Sequence, residues 1–178
     1  LGATTTLYRG QITVADTDRQ RYLTLKPSTA RHRSETLDRL VLRLLALALF
    51  PAPALRFRAG VSAGDEPDLA GHTEDGRISH WIDVGTPALE RLQAASRRDR
   101  QIGVLTHSGL LERWRRQHGG RLALDPHWEV WCIEADLVQA LGADLKPRLH
   151  WELTLAGGVL YLSSGTATLS SELQRITA

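Results

Sequence analysis

The sequence predicts an α/β fold: one domain over residues 1–178, with a mixed β-sheet flanked by helices and an antiparallel hairpin at each end. Three observations lead there. Apolar residues recur at helical spacing between Leu37 and Ala48, strand-like runs alternate with helical ones through the middle of the chain, and alternating strands bounded by turn residues stand at both ends. No linker divides the chain, and 178 residues can bury a core without disulfides or a structural metal.

The elements follow in order. Residues 5–14 alternate apolar Leu7, Ile12 and Val14 with polar neighbours, and residues 22–25 do so again after the turn-like Ala15-Asp16-Thr17-Asp18, which makes an opening antiparallel pair. From Ser34 onward Leu37, Leu40, Val41, Leu44, Leu45 and Ala48 share one helical face, with Ser34 as the cap and Pro51 as the stop. Residues 55–61 read as a strand, 64–77 as an acidic, turn-rich segment, and Ile78–Val84 as a mostly apolar strand. Thr86-Pro87 begins a helix over 87–98, because proline suits the first helical position and threonine the cap before it. A short buried strand at 102–106 leads to a helix at 108–118 that Gly119-Gly120 stops. A strand at 127–133, a helix at 134–141 ending near Gly142, and strands at 149–155 and Val159–Ser163 complete the chain. Ala156-Gly157-Gly158 between the last two is a hairpin signal, not a phosphate loop.

Composition narrows the function classes. Hydrophobic residues make up 42% and charged residues 24%, which excludes long disorder. Twenty-two basic against 20 acidic residues leave a net charge of +2, a balance that allows nucleic acid as a partner without demanding it. Only Lys26 and Lys146 are lysines, so nearly all the positive charge is guanidinium, suited to bidentate phosphate contacts and unsuited to proton abstraction. The single cysteine, Cys132, lies in an apolar run and reads as a buried thiol in a reducing, cytoplasmic compartment. The longest apolar stretch, residues 44–55, is broken by two prolines and too short to span a bilayer, and the start shows no signal pattern, so no membrane partner is expected. The absence of methionine places the initiator before Leu1. His80-Trp81, His127-Trp128 and His150-Trp151 share a dipeptide but not their flanks, and the strand preference of tryptophan accounts for them without a repeat.

Two segments carry chemistry. Asp65-Glu66-Pro67-Asp68 puts three carboxylates within four positions of a loop, and Trp81-Ile82-Asp83-Val84-Gly85 puts one carboxylate in an apolar strand, where it must have a partner. Neighbouring strands that each deliver an aspartate to one edge can hold a hard divalent cation such as Mg²⁺. Solvated turns explain Asp65 and Asp75 equally well; Asp83 is harder to explain so, because its strand ends at a helix start, where ligand sites of α/β sheets lie. Ser34 and Ser108 precede helices without a glycine-flanked elbow and read as caps. Cys132 and His127 fall on opposite strand faces, and the histidines lack zinc-site spacing. Arg97, Arg98 and Arg100, and Arg113, Arg115 and Arg116 around Trp114, could meet a phosphate backbone, but a solvated helix face is the favoured reading.

The run Ala30-Arg31-His32-Arg33-Ser34-Glu35-Thr36 with Arg39 and Leu42-Arg43-Leu44-Leu45-Ala46, then Asp65-Glu66-Pro67, then Trp81-Ile82-Asp83-Val84-Gly85 with Pro87 and Arg91, resembles the YaeQ family. Tyr8, Val14-Ala15-Asp16 and Gly158-Val159-Leu160-Tyr161-Leu162 extend the likeness over almost the whole chain. The resemblance implies a restriction-endonuclease-like PD-(D/E)XK core: a helix, three strands, a second helix and a further strand. It makes Pro67-Asp68 the Pro-Asp element, Asp83 the second acidic position, and Glu35 an additional carboxylate. Asp68 and Asp83 would then hold Mg²⁺ or Mn²⁺. Where that pattern has lysine, two residues after the second carboxylate, this chain has Gly85. Arg91 and Gln93, on the helix that follows, are the candidates to stand beside the scissile phosphate, and a metal can activate water without a lysine. The expected function is a Mg²⁺-dependent nuclease or phosphodiesterase with a variant site; the alternative is a non-catalytic nucleic-acid- or protein-binding module that keeps the fold.

Overall fold

From Leu40 onward the helix expected near residue 37 is apolar on every side except at Arg43, and that sets the architecture. In the computed structural model, which describes residues 5–58 and 65–178, α1 (Leu37–Leu49) buries every residue from Leu40 to Leu49. A helix without a polar face has to lie inside the protein. It is covered on both sides by sheet.

The chain before α1 forms β1 (Thr6–Asp16), β2 (Arg21–Leu25) and β3 (Ser28–Arg31). After it come β4 (Arg56–Phe57), β5 (Leu69–His72), β6 (Ile78–Val84), α2 (Leu89–Ser96), β7 (Gln101–His107), α3 (Ser108–Gln117), β8 (Glu129–Ile133) and α4 (Ala135–Asp144). The last strands are β9 (Arg148–Ala156), β10 (Val159–Ser163), β11 (Thr168–Glu172) and β12 (Gln174–Arg175). Among the described residues these strands make two mixed sheets of six, not the single sheet expected: β11-β10-β9-β1-β2, with β3 also on β1, and β12-β8-β7-β6-β5-β4. The two hairpins read as additions to one sheet are joined to each other, because β1 and β9 pair in parallel. Both hairpins have the predicted antiparallel pairing, and Gly157 and Gly158 turn the second at φ +60° and +73°.

The layers run first sheet, α1 with α4, second sheet, then α2 and α3. One core joins Ile12, Val14, Leu153 and Leu160 of the first sheet through α1 to Leu69, Ile82, Val84 and Leu105 of the second. A second core packs Leu92 and Trp114 of α2 and α3 against Trp81, Ile102, Val104 and Val130. Among the described residues no helix is long and apolar enough to cross a membrane.

Several local expectations change. The α1 cap is Thr36, whose hydroxyl accepts from the Arg39 amide at 3.2 Å, while the Ser34 amide turns back to His32. The second helix starts at Leu89 after Ala88, with no side-chain cap. Ser108 is already inside α3, whose cap is His107, and its hydroxyl accepts from the Ala135 amide instead. The acidic segment 64–77 contains a strand, β5, too short and glycine-interrupted to show an alternation. Of the strand expected over 55–61, only Arg56–Phe57 is paired, and residues 59–61 lie outside the described residues.

Candidate functional site

The C-terminal ends of the parallel pair β6 and β7 open into a cleft of about 540 Å³ between the start of α1 and the turns leading to α2 and α3. Asp68 and Asp83 lie in its wall with Arg39, Arg91, Asp38 and His107. This is where parallel strands of an α/β sheet present side chains to a ligand.

Antiparallel pairing of β5 with β6 brings the two aspartates together. Leu69 sits opposite Ile82, so Asp68 lies level with Asp83 at the strand end. The Asp68 amide donates to Asp83 Oδ1 at 3.1 Å, and the Val84 amide donates to Asp68 Oδ2 at 2.9 Å. Each carboxylate therefore holds the other's strand. Trp81 Nε1 and Arg91 Nε each donate to Asp83 Oδ2 at 2.9 Å, and the Arg91 guanidinium also stacks 4.9 Å from the Trp81 ring and bonds the Glu66 carbonyl. Arg39 bonds Asp68 Oδ1 and reaches Glu35 Oε1 at 3.1 Å.

Glu35 is buried just before α1 and does not line the cleft. Arg43 grips it through Nε at 2.7 Å and Nη2 at 2.8 Å, and is itself held by Thr29 and the Ala30 carbonyl. Glu35, Asp68 and Asp83 are thus matched by Arg39, Arg43 and Arg91, three charges against three. Even so, burial and the adjacent Asp83 charge push the Asp68 carboxyl above its ordinary value, against the pull of Arg39 and the Val84 amide.

Of the two candidates on the second helix, the structure brings only Arg91 to the pair. Gln93 is exposed and outside the cleft, since two positions along a helix turn a side chain by about 200°. Gly85 lines the cleft at φ +84°, a conformation that side chains other than glycine's rarely take. Lysine at this position would strain the turn. Trp114, considered for stacking, is fully buried and donates to the Pro87 carbonyl at 2.9 Å. Cys132 is buried, and burial pushes its thiol up to about 11. Asp75 is exposed and pairs with Arg77, as a solvated turn should.

His107 and Asp38 escaped the sequence reading. His107 Nδ1 accepts from the Gly109 amide at 3.1 Å, so Nε2 carries the proton and faces Asp38 Oδ2 at 3.4 Å. Burial lowers the His107 pKa, with Asp38 opposing. Its position at the end of an apolar strand, directly before a helix, was the one available signal.

Would these residues hold a divalent cation? Among the described residues no three His, Cys, Asp or Glu side chains gather as a metal site. Mg²⁺, however, keeps several waters and commonly takes one or two carboxylates plus substrate phosphate, which Asp68 and Asp83 can supply. The pair fits only if both guanidinium groups give way, Arg39 from Asp68 and Arg91 from Asp83, whose oxygens also accept from the Asp68 amide and Trp81 Nε1. The Arg39 side chain is 27% exposed and that of Arg91 19%, against 7% for Arg43, so these two are the guanidinium groups nearer solvent.

A family model described as "YaeQ protein" matches residues 1–173. The "Uncharacterized protein YaeQ" of Salmonella typhi is 30% identical over 94% of this chain and 93% of its own, and that of Escherichia coli K12 is 28% identical over the same shares. The crystal structure of YaeQ protein from Xanthomonas axonopodis pv. citri superposes with a TM-score of 0.88 at 29% identity, covering 98% of this chain and 99% of that one. The crystal structure of YaeQ protein from Pseudomonas syringae gives 0.86 at 30% identity, covering 98% and 97%.

Proposed function

The chain belongs to the YaeQ family, and from that premise we propose that its cleft is a variant PD-(D/E)XK site, a divalent-cation-dependent phosphodiesterase acting on nucleic acid. The observation that carries this reading is the reciprocal hydrogen bonding of Asp68 and Asp83 at the end of two adjoining strands. The element order agrees: α1, then β4, β5 and β6, then α2 and β7, is the helix, three strands, helix and strand that the restriction-endonuclease-like core requires.

Asp68 and Asp83 would hold Mg²⁺ or Mn²⁺, which supplies Lewis acidity toward a phosphoryl oxygen and lowers the pKa of bound water. Arg39 and Arg91, once turned from Asp68 and Asp83, stabilise the charge that builds on the phosphate. Asp38 pairs with no arginine among the described residues and is backed by His107, so it can accept a proton from attacking water. Glu35 acts at a distance, by holding Arg39 and Arg43 in place. Gly85 in the lysine position predicts a slow enzyme, because losing one general base or positioning group costs about 10²- to 10⁴-fold.

The test is cleavage of labelled single- and double-stranded DNA and RNA with Mn²⁺. Slow cleavage by the wild type should fall at least about 100-fold in Asp68→Asn/Asp83→Asn. If the wild type binds nucleic acid but never cleaves it, the chain is a binding module that keeps the fold. That second reading is favoured by one observation: three guanidinium groups already neutralise the three carboxylates.

A further inference from the structure

The outer face of the first sheet looks away from α1, and it carries what the cleft lacks. The three large hydrophobic side chains exposed among the described residues are Leu7 at 49%, Tyr22 at 60% and Tyr161 at 47%, and all belong to this face. On β1 the even positions Tyr8, Ile12 and Val14 point into the core, so Leu7, Arg9, Gln11, Thr13 and Ala15 point out. Register then places their neighbours. Tyr22 lies opposite Ala15, Ala15 opposite Thr154, and Thr154 opposite Tyr161, so the two tyrosines stand in one row, three strand spacings or about 14 Å apart.

At the other end of the same face, six residues or roughly 20 Å along β1, the charge is positive. Arg9 faces Arg148 directly across the parallel pair, and His150 faces Gln11. Lys26 joins them in lining a groove of about 540 Å³ whose lining contains no carboxylate. Arg9, Lys26, Arg148 and His150 make no ion pair or side-chain hydrogen bond with a described residue. Like charges placed opposite each other weaken a sheet, so this arrangement has no folding rationale. Glu152, one row away, and Glu172, beyond the tyrosines, are the acidic residues among these rows. Single exposed apolar residues need no explanation. Two aromatic faces in register with a carboxylate-free basic groove, on an open sheet, do.

We infer that this outer face binds single-stranded nucleic acid, with bases stacked on Tyr22 and Tyr161 and the backbone phosphates drawn to Arg9, Lys26 and Arg148. Splayed bases stack on exposed aromatic rings of a sheet, and a basic groove tracks the backbone without reading sequence. A duplex hides its base faces and gains nothing from the tyrosines. The inference does not require the cleft to cut.

Binding is read by fluorescence anisotropy with labelled oligothymidylate and oligouridylate in EDTA, where no cleavage occurs. Tyr22→Ser and Tyr161→Ser should each weaken binding about five- to a hundredfold. Arg9→Ser/Arg148→Ser should lower the slope of log affinity against log salt by about 1.4, the release expected from two phosphate contacts. The Asp68→Asn/Asp83→Asn protein should bind as the wild type does, which separates this inference from the cleft reading. All these positions but the aspartates are exposed, and circular dichroism confirms that each variant folds. The inference is overturned if neither oligomer binds at low salt, if the tyrosine variants bind unchanged, if duplex binds with the same tyrosine dependence, or if only the cleft variant loses binding.

Discussion

The cleft and the outer face of the first sheet hold their charges under opposite terms. At the cleft Asp68 and Asp83, with Glu35 behind them, are almost fully buried and each meets a guanidinium, whereas on the face Arg9, Lys26 and Arg148 stand in solvent without an acidic partner among the described residues. Physics imposes the first arrangement: a charge taken out of water is costly unless it is paired and hydrogen-bonded. Nothing imposes the second. Pairing in the cleft is therefore a condition of folding before it is a sign of function, while the unpaired cations on the open sheet are not required by the fold and are the groups the inferred ligand would meet.

The sharpest way to break this comparison is to remove one buried cation. Arg43→Ala leaves Glu35 with Arg39 alone and strips the bonds to Thr29 and Ala30. Breaking a buried pair from one side costs about 3–5 kcal/mol, so urea unfolding should show the largest loss of the single substitutions named here. A loss under about 1 kcal/mol would mean that the cluster is not structural, and the contrast with the open face would fail.

How much of this was legible in the sequence follows the same division between local and distant causes. Helix α1, β6 and both hairpins were legible because periodicity and turn glycines are local signals. The division into two sheets was not, because it rests on the parallel pairing of Arg9 to Asp16 with Arg148 to Leu155, which no local pattern encodes. Strand β11, Thr-Leu-Ser-Ser-Glu, has too little apolar content to be read. Asp83 could be singled out as a carboxylate in an apolar strand. The arginines that clamp it and Asp68 could not, since which carboxylate a guanidinium meets depends on how α1 and α2 dock. His107 looks locally like any histidine closing a strand, and only the cleft sets it apart.

A smaller effect tests whether the turn that shapes the cleft depends on glycine. Gly85 sits at φ +84°, and open space surrounds the position of a Cβ, so Gly85→Ala meets backbone strain and no clash. The expected cost is about 1–2 kcal/mol. Gly85→Lys should cost at least as much, so restoring the missing motif lysine should not simply improve cleavage. A neutral Gly85→Ala would show that the backbone can relax and that the lysine was not kept out by conformation.

The smallest expected effect is the one that most sharpens the comparison. Arg9 and Arg148 lie side by side across β1 and β9, with Lys26 and His150 lining the same groove. Each side chain is exposed and makes no ion pair or side-chain hydrogen bond with a described residue, so its removal strands no buried group. Cross-strand like charges destabilise by up to roughly 1 kcal/mol, and salt screens them. Arg9→Ser/Arg148→Ser should therefore leave stability unchanged at high salt and raise it by some tenths of a kcal/mol, at most about 1, at low salt. A loss of more than about 1 kcal/mol would mean that the arginine stems pack on the sheet and are kept for folding. A gain at low salt, beside a loss of oligonucleotide binding in the same protein, would mean that the sheet tolerates these charges at the expense of its own stability, which is how a surface kept for a ligand differs from a cluster kept for the fold.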